Sequence, residues 1–178
     1  LIGMPRARAA FTMAPVLGPR RTFSSSERSA CTAALEAARS ARRLYEPADA
    51  FELTEAALDA LDRLEGARTP DAIALHAEVL NELVSLGMQM RQHEQPESRP
   101  LLQERGQLAV DLSRQVGDKR ALVQSLVNLG NVHVLSGFPR TGFQWLMEAY
   151  DLASELGDER LFLLPLWVAT EIMLDDAP

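Results

Sequence analysis

From residue 24 onward, apolar side chains recur at spacings of three and four, and the breaks between these runs carry helix punctuation. Ser24 and Glu27 have the spacing of a reciprocal N-terminal cap, and Ala30, Ala33, Leu35, Ala38 and Leu44 follow them. Pro47 is placed to open a second helix, where a missing N–H costs nothing. Phe51, Leu53, Ala57, Leu58, Leu61 and Leu64 line that helix, which should stop near Gly66. Thr69-Pro70 reads as cap and first turn of a third helix through Ile73, Leu80, Leu83 and Leu86. Ser98 and Pro100 open a fourth helix that ends at Gly117, and Asp118 caps a fifth that ends near Gly137. Pro139 opens a sixth, ending at Gly157, and Asp158 caps a seventh. Gly87 is expected to end the third helix and leave residues 88–97 as a loop, because glycine readily takes the left-handed conformation that closes a helix. Period-two alternation is absent and β-branched residues are few, so the expected fold is all-α.

The runs repeat. Val116-Gly117-Asp118 returns forty residues later as Leu156-Gly157-Asp158, and at that offset Ala109 meets Ala149, Asp111 meets Asp151 and Leu112 meets Leu152. The second helix aligns with the sixth at an offset of 92, Phe51 falling on Phe143 and Ala57 on Ala149. The third aligns with the fifth at an offset of 50, Asn81 on Asn131 and Gly87 on Gly137. A period of this length means stacked helix pairs, each too small to bury its apolar face alone.

Residues 119–157 resemble a tetratricopeptide repeat. Leu126, Leu129-Gly130 and His133 stand where that family has an aromatic, Leu-Gly and Tyr on the first helix of a pair. Gly142, Leu146 and Ala149 stand where it has a small residue, a bulky apolar one and Ala on the second. Leu126, His133 and Ser154 depart from the pattern, the last replacing a frequent Pro. The period of forty, against the usual ~34, resembles the variant of kinesin light chains and of bacterial regulators with Leu-Gly-Asp joints. The resemblance is good over residues 119–174 and weak over 24–117. It implies a right-handed solenoid of about three antiparallel helix pairs plus one terminal helix, whose first helices line a concave groove. Glu78, Asn81, Asn128, Asn131, Val168 and Glu171 fall on that line. Asn side chains both donate to and accept from a peptide backbone, which marks Asn81 and Asn131 as the expected grips on an extended peptide. A clamp for a carboxylate is disfavoured: Val127 stands where a lysine would be wanted, and Glu171 would repel the ligand.

Composition sharpens this picture. The 178 residues are 47% apolar and 24% charged. Mean hydropathy is -0.09, and no apolar run approaches the ~18 residues of a membrane span. The formal charge is -7, but Arg6, Arg8, Arg20 and Arg21 stand in an acid-free stretch, so residues 27–178 carry a net charge of -11. An acidic body repels phosphate backbones, which excludes a nucleic-acid partner. The head divides from the rest as residues 1–23, basic and without a periodic apolar face, against a repeat domain over 24–178. The acid-free residues 1–26, with Arg6, Arg8, Arg20 and Arg21, Thr12 and Thr22, and Ser24, Ser25 and Ser26, have the character of a mitochondrial or plastid transit segment.

Catalytic chemistry is thinly represented. One Cys (Cys31) excludes an internal disulfide, and it reads as a small buried residue. His76-x-Glu78 matches half of a zinc deaminase motif whose Pro-Cys-x-x-Cys half is missing, and the other histidines, His93 and His133, are far off in sequence. Gly117-Asp118-Lys119 lacks the upstream glycine of a phosphate loop. No catalytic, metal or cofactor residue is expected. Met88 and Met90 are read as core packing rather than as an adaptable surface. The seventh helix, apolar on every side from Leu161 to Ala169, should expose Leu163, Leu164 and Trp167 and drive self-association. The expected function is a protein-interaction adaptor for a peptide or helix of a partner, for instance an organellar assembly factor. The alternative is a docking or sensing piece of a larger bacterial regulator.

Overall fold

The computed structural model describes residues 25–44, 46–63, 69–158 and 161. Within them the chain forms six α-helices and no strand: α1 (Ser25–Arg43), α2 (Pro47–Asp62), α3 (Pro70–Gln89), α4 (Arg99–Val116), α5 (Lys119–Leu135) and α6 (Pro139–Leu156). The leader, the proposed cap at Ser24, the stop at Gly66 and all of the seventh helix except Leu161 lie outside the described residues.

The punctuation works as its chemistry requires. Thr69 takes an extended backbone and its hydroxyl accepts from Ala72 N at 3.3 Å, with Pro70 beside it in the first turn. Asp118 accepts from Arg120 N at 2.9 Å and Ala121 N at 3.1 Å through one carboxylate oxygen, satisfying two of the donors that a helix start leaves unpaired. The Val116-Gly117-Asp118 joint therefore reverses the chain between α4 and α5 in few residues. Gly117 (φ 79°) and Gly157 (φ 65°) adopt the left-handed conformation that would strain any side chain, and an Asp follows at once.

The α3–α4 joint departs from expectation. Gly87 does not end α3. The helix continues to Gln89, and a 3-10 turn over Gln92–Glu94 lies inside the joint. The left-handed residue that reverses the chain is Arg91 (φ 58°). Gly87 is kept small for another reason: a Cβ there would lie 2.4 Å from Leu102 Cδ2. Its aligned partner Gly137 does take the left-handed conformation just beyond α5 (φ 86°), so the two glycines share an alignment column and not a role.

Helices pair as α1/α2, α3/α4 and α5/α6, and each pair packs on the next through α2 on α3 and α4 on α5. The first helices also touch one another, α3 meeting both α1 and α5. The core is a series of buried clusters along the pairs. Cys31, Leu35, Ala57, Leu61, Leu75, Val79 and Leu83 join the first pair to α3. Val84, Leu102 and Val132 bridge α3, α4 and α5, and Val123, Leu126, Leu129, Leu146, Ala149 and Ala153 fill the last pair, joined by Val110 of α4. Met88 packs against the bridging cluster, as its core reading required. Leu161 packs against the α5–α6 core.

The residues that carried the family resemblance are those that set the closest approach. A Cβ on Gly130 would stand 2.8 Å from Leu146 Cγ, and one on Gly142 would stand 2.6 Å from the Gly130 carbonyl oxygen. Leu126, Leu129, Leu146 and Ala149 are fully buried around that contact. Small residues here let two helix backbones come together, and the bulky ones fill the space on either side.

Candidate functional site

The row of first helices, α1, α3 and α5, borders a cleft of about 560 Å³. Arg39 and Arg42 enter it from α1; Glu78, Asn81, Glu82 and Ser85 from α3; Gln124 and Asn128 from α5. The spacing explains the convergence. Residues 78, 81, 82 and 85 are i, i+3, i+4 and i+7 on α3, one stripe of a helix, and 124 and 128 are one turn apart on α5.

The floor of the cleft is a chain of neutral hydrogen bonds that ties α3 to α5. Asn81 Nδ2 donates to Ser125 Oγ at 2.8 Å, and Ser125 donates onward to the Ala121 carbonyl at 2.9 Å. Ser113 of α4 lies 3.0 Å from the same hydroxyl. Ser125 has one proton to give, so Ser113 donates to it and its bonding is complete. Asn128 Nδ2 donates to both the side-chain and the backbone oxygen of Asn81, at 3.1 and 3.2 Å, and Gln124 Nε2 donates to Asn128 Oδ1 at 3.1 Å. Ser113 and Ser125 are buried, so their bonds meet polar groups that water does not reach, whereas Asn128 keeps a narrow edge on the cleft.

The α1 wall is ionic. Arg39 pairs with Glu78. Arg42 Nε lies 3.3 Å from Glu82 Oε1, and its guanidinium reaches Ser85 Oγ at 3.4 Å. The Arg42–Glu82 contact is one of charge without hydrogen-bond geometry: Glu82 is only 8% exposed, and its Oε1 has no hydrogen-bond donor.

Of the residues singled out from sequence, Glu78, Asn81 and Asn128 meet in this cleft. Asn131, one turn further along α5, is part-buried and outside its lining. Val168, Glu171, Leu163, Leu164 and Trp167 lie outside the described residues. Arg39, Arg42, Glu82 and Gln124 escaped the sequence reading. Treating α1 as the first helix of a pair would have reached Arg39 and Arg42, and extending the Glu78–Asn81 and Asn128 stripes by one turn would have reached Glu82 and Gln124. Val127 is buried, so it contributes no side chain to the cleft.

The histidines occupy separate places. His76 on α3 lies 3.7 Å from Asp62, and His93 is buried in the 3-10 turn. His133 on α5 sits edge-on to Phe138 with ring centroids 6.4 Å apart. Burial lowers the pKa of His133, and of His76 despite the opposing pull of Asp62. Among the described residues no group of three or more His, Cys, Asp or Glu side chains is placed to hold a metal ion.

No family model matches the chain, and no curated protein matches it. Among solved structures it is similar to the N-terminal domain of stress-induced protein-1 (STI-1) from C. elegans, with a TM-score of 0.56 and 14% identity. The match covers 84% of this chain and 99% of that one. The chain has a tetratricopeptide-like helical-repeat fold. At this identity the likeness reaches the path of the helices and stops short of the residues in the cleft.

Proposed function

We propose that the protein is an interaction adaptor that takes an extended peptide segment of a partner protein in the cleft between α1, α3 and α5. The observation that carries this reading is the convergence of Glu78, Asn81, Gln124 and Asn128 on the concave side of a helical repeat. Internal bonding leaves part of their capacity open: Asn81 Nδ2 retains one N–H, Gln124 retains its carbonyl oxygen and one N–H, and Asn128 Oδ1 retains a lone pair. Alternating donors and acceptors of this kind match the edge of an extended backbone. The period of forty residues, shared with the kinesin-light-chain-like variant of the repeat, belongs to the same reading. The fully apolar sequence of residues 161–169 adds a second contact, through which the chain associates with itself or with a further helix.

The test is a titration of isotope-labelled protein with blocked nonapeptides of alanine and serine, each carrying Arg, Lys, Gln or Glu at the centre. Binding should shift the side-chain amide resonances of Asn81, Gln124 and Asn128 and leave Gln144, on the exposed side of α6, unmoved. Shifts confined to Gln144 and the second helices, or no shift with any peptide, would remove the cleft from consideration.

A further inference from the structure

Glu82 is the least comfortable side chain in the cleft. It lines the cavity, yet it is 8% exposed, and its Oε1 accepts no hydrogen bond. A carboxylate withdrawn from water needs donors as well as a neighbouring charge, and nearly all buried polar atoms have them. Arg42 supplies the charge at 3.3 Å without directing an N–H at the oxygen. One acceptor is therefore unmet in the wall of the cleft, reached by a ligand once Arg42 moves.

We infer that the cleft recognises a cationic side chain, Arg or Lys, in the partner segment, and that Glu82 is its acceptor. This rests on the peptide-binding reading above and specifies the chemistry of what binds. Charge decides between the alternatives. The lining carries three carboxylates, Glu78, Glu82 and Asp118, against two guanidinium groups, Arg39 and Arg42. An incoming carboxylate would have to take Arg39 from Glu78 and Arg42 from Glu82, and would then face the displaced acids. A neutral donor would complete Glu82 Oε1 but would gain nothing from the excess negative charge. An ammonium or guanidinium gains both: a charge-assisted bond to Oε1, and the field of a body whose residues 27–178 carry a net charge of -11. Arg42 is 37% exposed and can swing aside while still facing Glu82.

The same nonapeptides test this on the intact protein. The Arg and Lys peptides should bind about tenfold more tightly than the Gln peptide, which is about 1.4 kcal/mol, and the Glu peptide should bind most weakly. Raising salt should narrow the Arg-to-Gln ratio. In Glu82→Gln the Arg-to-Gln ratio should fall below about twofold. Equal affinities of the Arg and Gln peptides for the wild-type protein, with the cleft amides shifting in both cases, would overturn the inference and leave peptide binding standing. No binding by any peptide would remove both. Because the wild-type ratio is decisive alone, a misfolded Glu82→Gln protein does not rescue the idea. A folded variant that keeps the tenfold ratio would refute the role of Glu82.

Discussion

Replacing Gly142 with Ala adds one methyl group at the narrowest point between α5 and α6. The new Cβ would stand 2.5 Å from Val134 Cγ2, 2.6 Å from the Gly130 carbonyl oxygen and 2.9 Å from the Val134 nitrogen. Two of these three are backbone atoms, so no rotamer change relieves the overlap and the helices must part by several tenths of an ångström. Overpacking of this kind costs about 1–3 kcal/mol. Against it stands the helix preference of Ala over Gly, about 0.8–1 kcal/mol. Because separation also loosens the buried contacts of Leu126, Leu129 and Leu146, the net should be a loss of about 1–2 kcal/mol. Gly106→Ala is the control. Its Cβ would meet Leu129 Cδ1 at 3.1 Å and otherwise only ordinary contacts at 3.6 Å. The far end of one leucine can give way, so there the propensity gain and the steric cost should cancel to within about 0.5 kcal/mol. Urea unfolding followed by circular dichroism reads both, with an unchanged slope required before midpoints are compared. A Gly142→Ala midpoint at or above wild type, or a Gly106→Ala loss as large as that of Gly142→Ala, would refute the argument that close backbone approach selects glycine here.

Asp118→Ala should lower stability by about 1 kcal/mol, since it removes the acceptor of two first-turn N–H groups of α5; Asp118→Asn, which can still accept, should recover most of it in the same urea assay. Burial holds the pKa of His76 and His133 below 6.5, so the unfolded chain binds more protons than the native one between the depressed native values and 6.5. The urea midpoint should therefore hold above pH 6.5 and fall as pH drops to 5.5, with a shallower fall when both are replaced by Gln; a midpoint that rises on acidification would contradict the burial argument. Raising NaCl from about 0.05 to 0.5 M should speed amide exchange in α1 more than in α5, because ion pairs hold α1 to α3 and neutral bonds hold α5 to α3; equal responses would show that the pairs contribute little. Leu163→Glu combined with Trp167→Glu should reduce self-association in sedimentation at ~100 μM without lowering helix content.

The elements were legible because most helices carry start or stop chemistry of their own. Pro47, Thr69-Pro70, Asp118 and Pro139 all fall at helix starts, and Gly117, Gly137 and Gly157 lie just beyond helix ends. Gly87 misled because a glycine can be required by a neighbour's volume as well as by a backbone angle. Leu102, fifteen positions on, imposes the first kind of demand, and nothing local to Gly87 announces it. The cleft was half legible for a similar reason. A helical stripe predicts which side chains share a face, and Glu78, Asn81 and Asn128 followed from it. It does not predict what faces them, so the spending of Asn81 on Ser125 and the crowding of Glu82 by Arg42 appear only once α1 and α5 are set beside α3.

The two seams of the inner row are built from different chemistry, and the difference bears on how the cleft can work. Arg28–Asp71 at 2.8 Å, Arg39–Glu78 and Arg42–Glu82 tie α1 to α3, all through side chains partly open to water except that of Glu82. Exposed pairs of this kind are worth about 0–1 kcal/mol each and are screened by salt. The Asn81–Ser125–Ser113 and Asn81–Asn128 bonds between α3 and its neighbours α4 and α5 are neutral and largely buried, so they fix a geometry that salt does not loosen. One wall of the cleft is thus rigid and offers backbone-like donors and acceptors. The opposite wall is lined, above its apolar core, by charges that can exchange partners at small cost. A ligand that brings its own charge can take a place in the ionic wall without breaking the neutral floor. Selectivity would then come from the α1 side and affinity for an extended backbone from the α5 side, with Glu82 on α3 facing both.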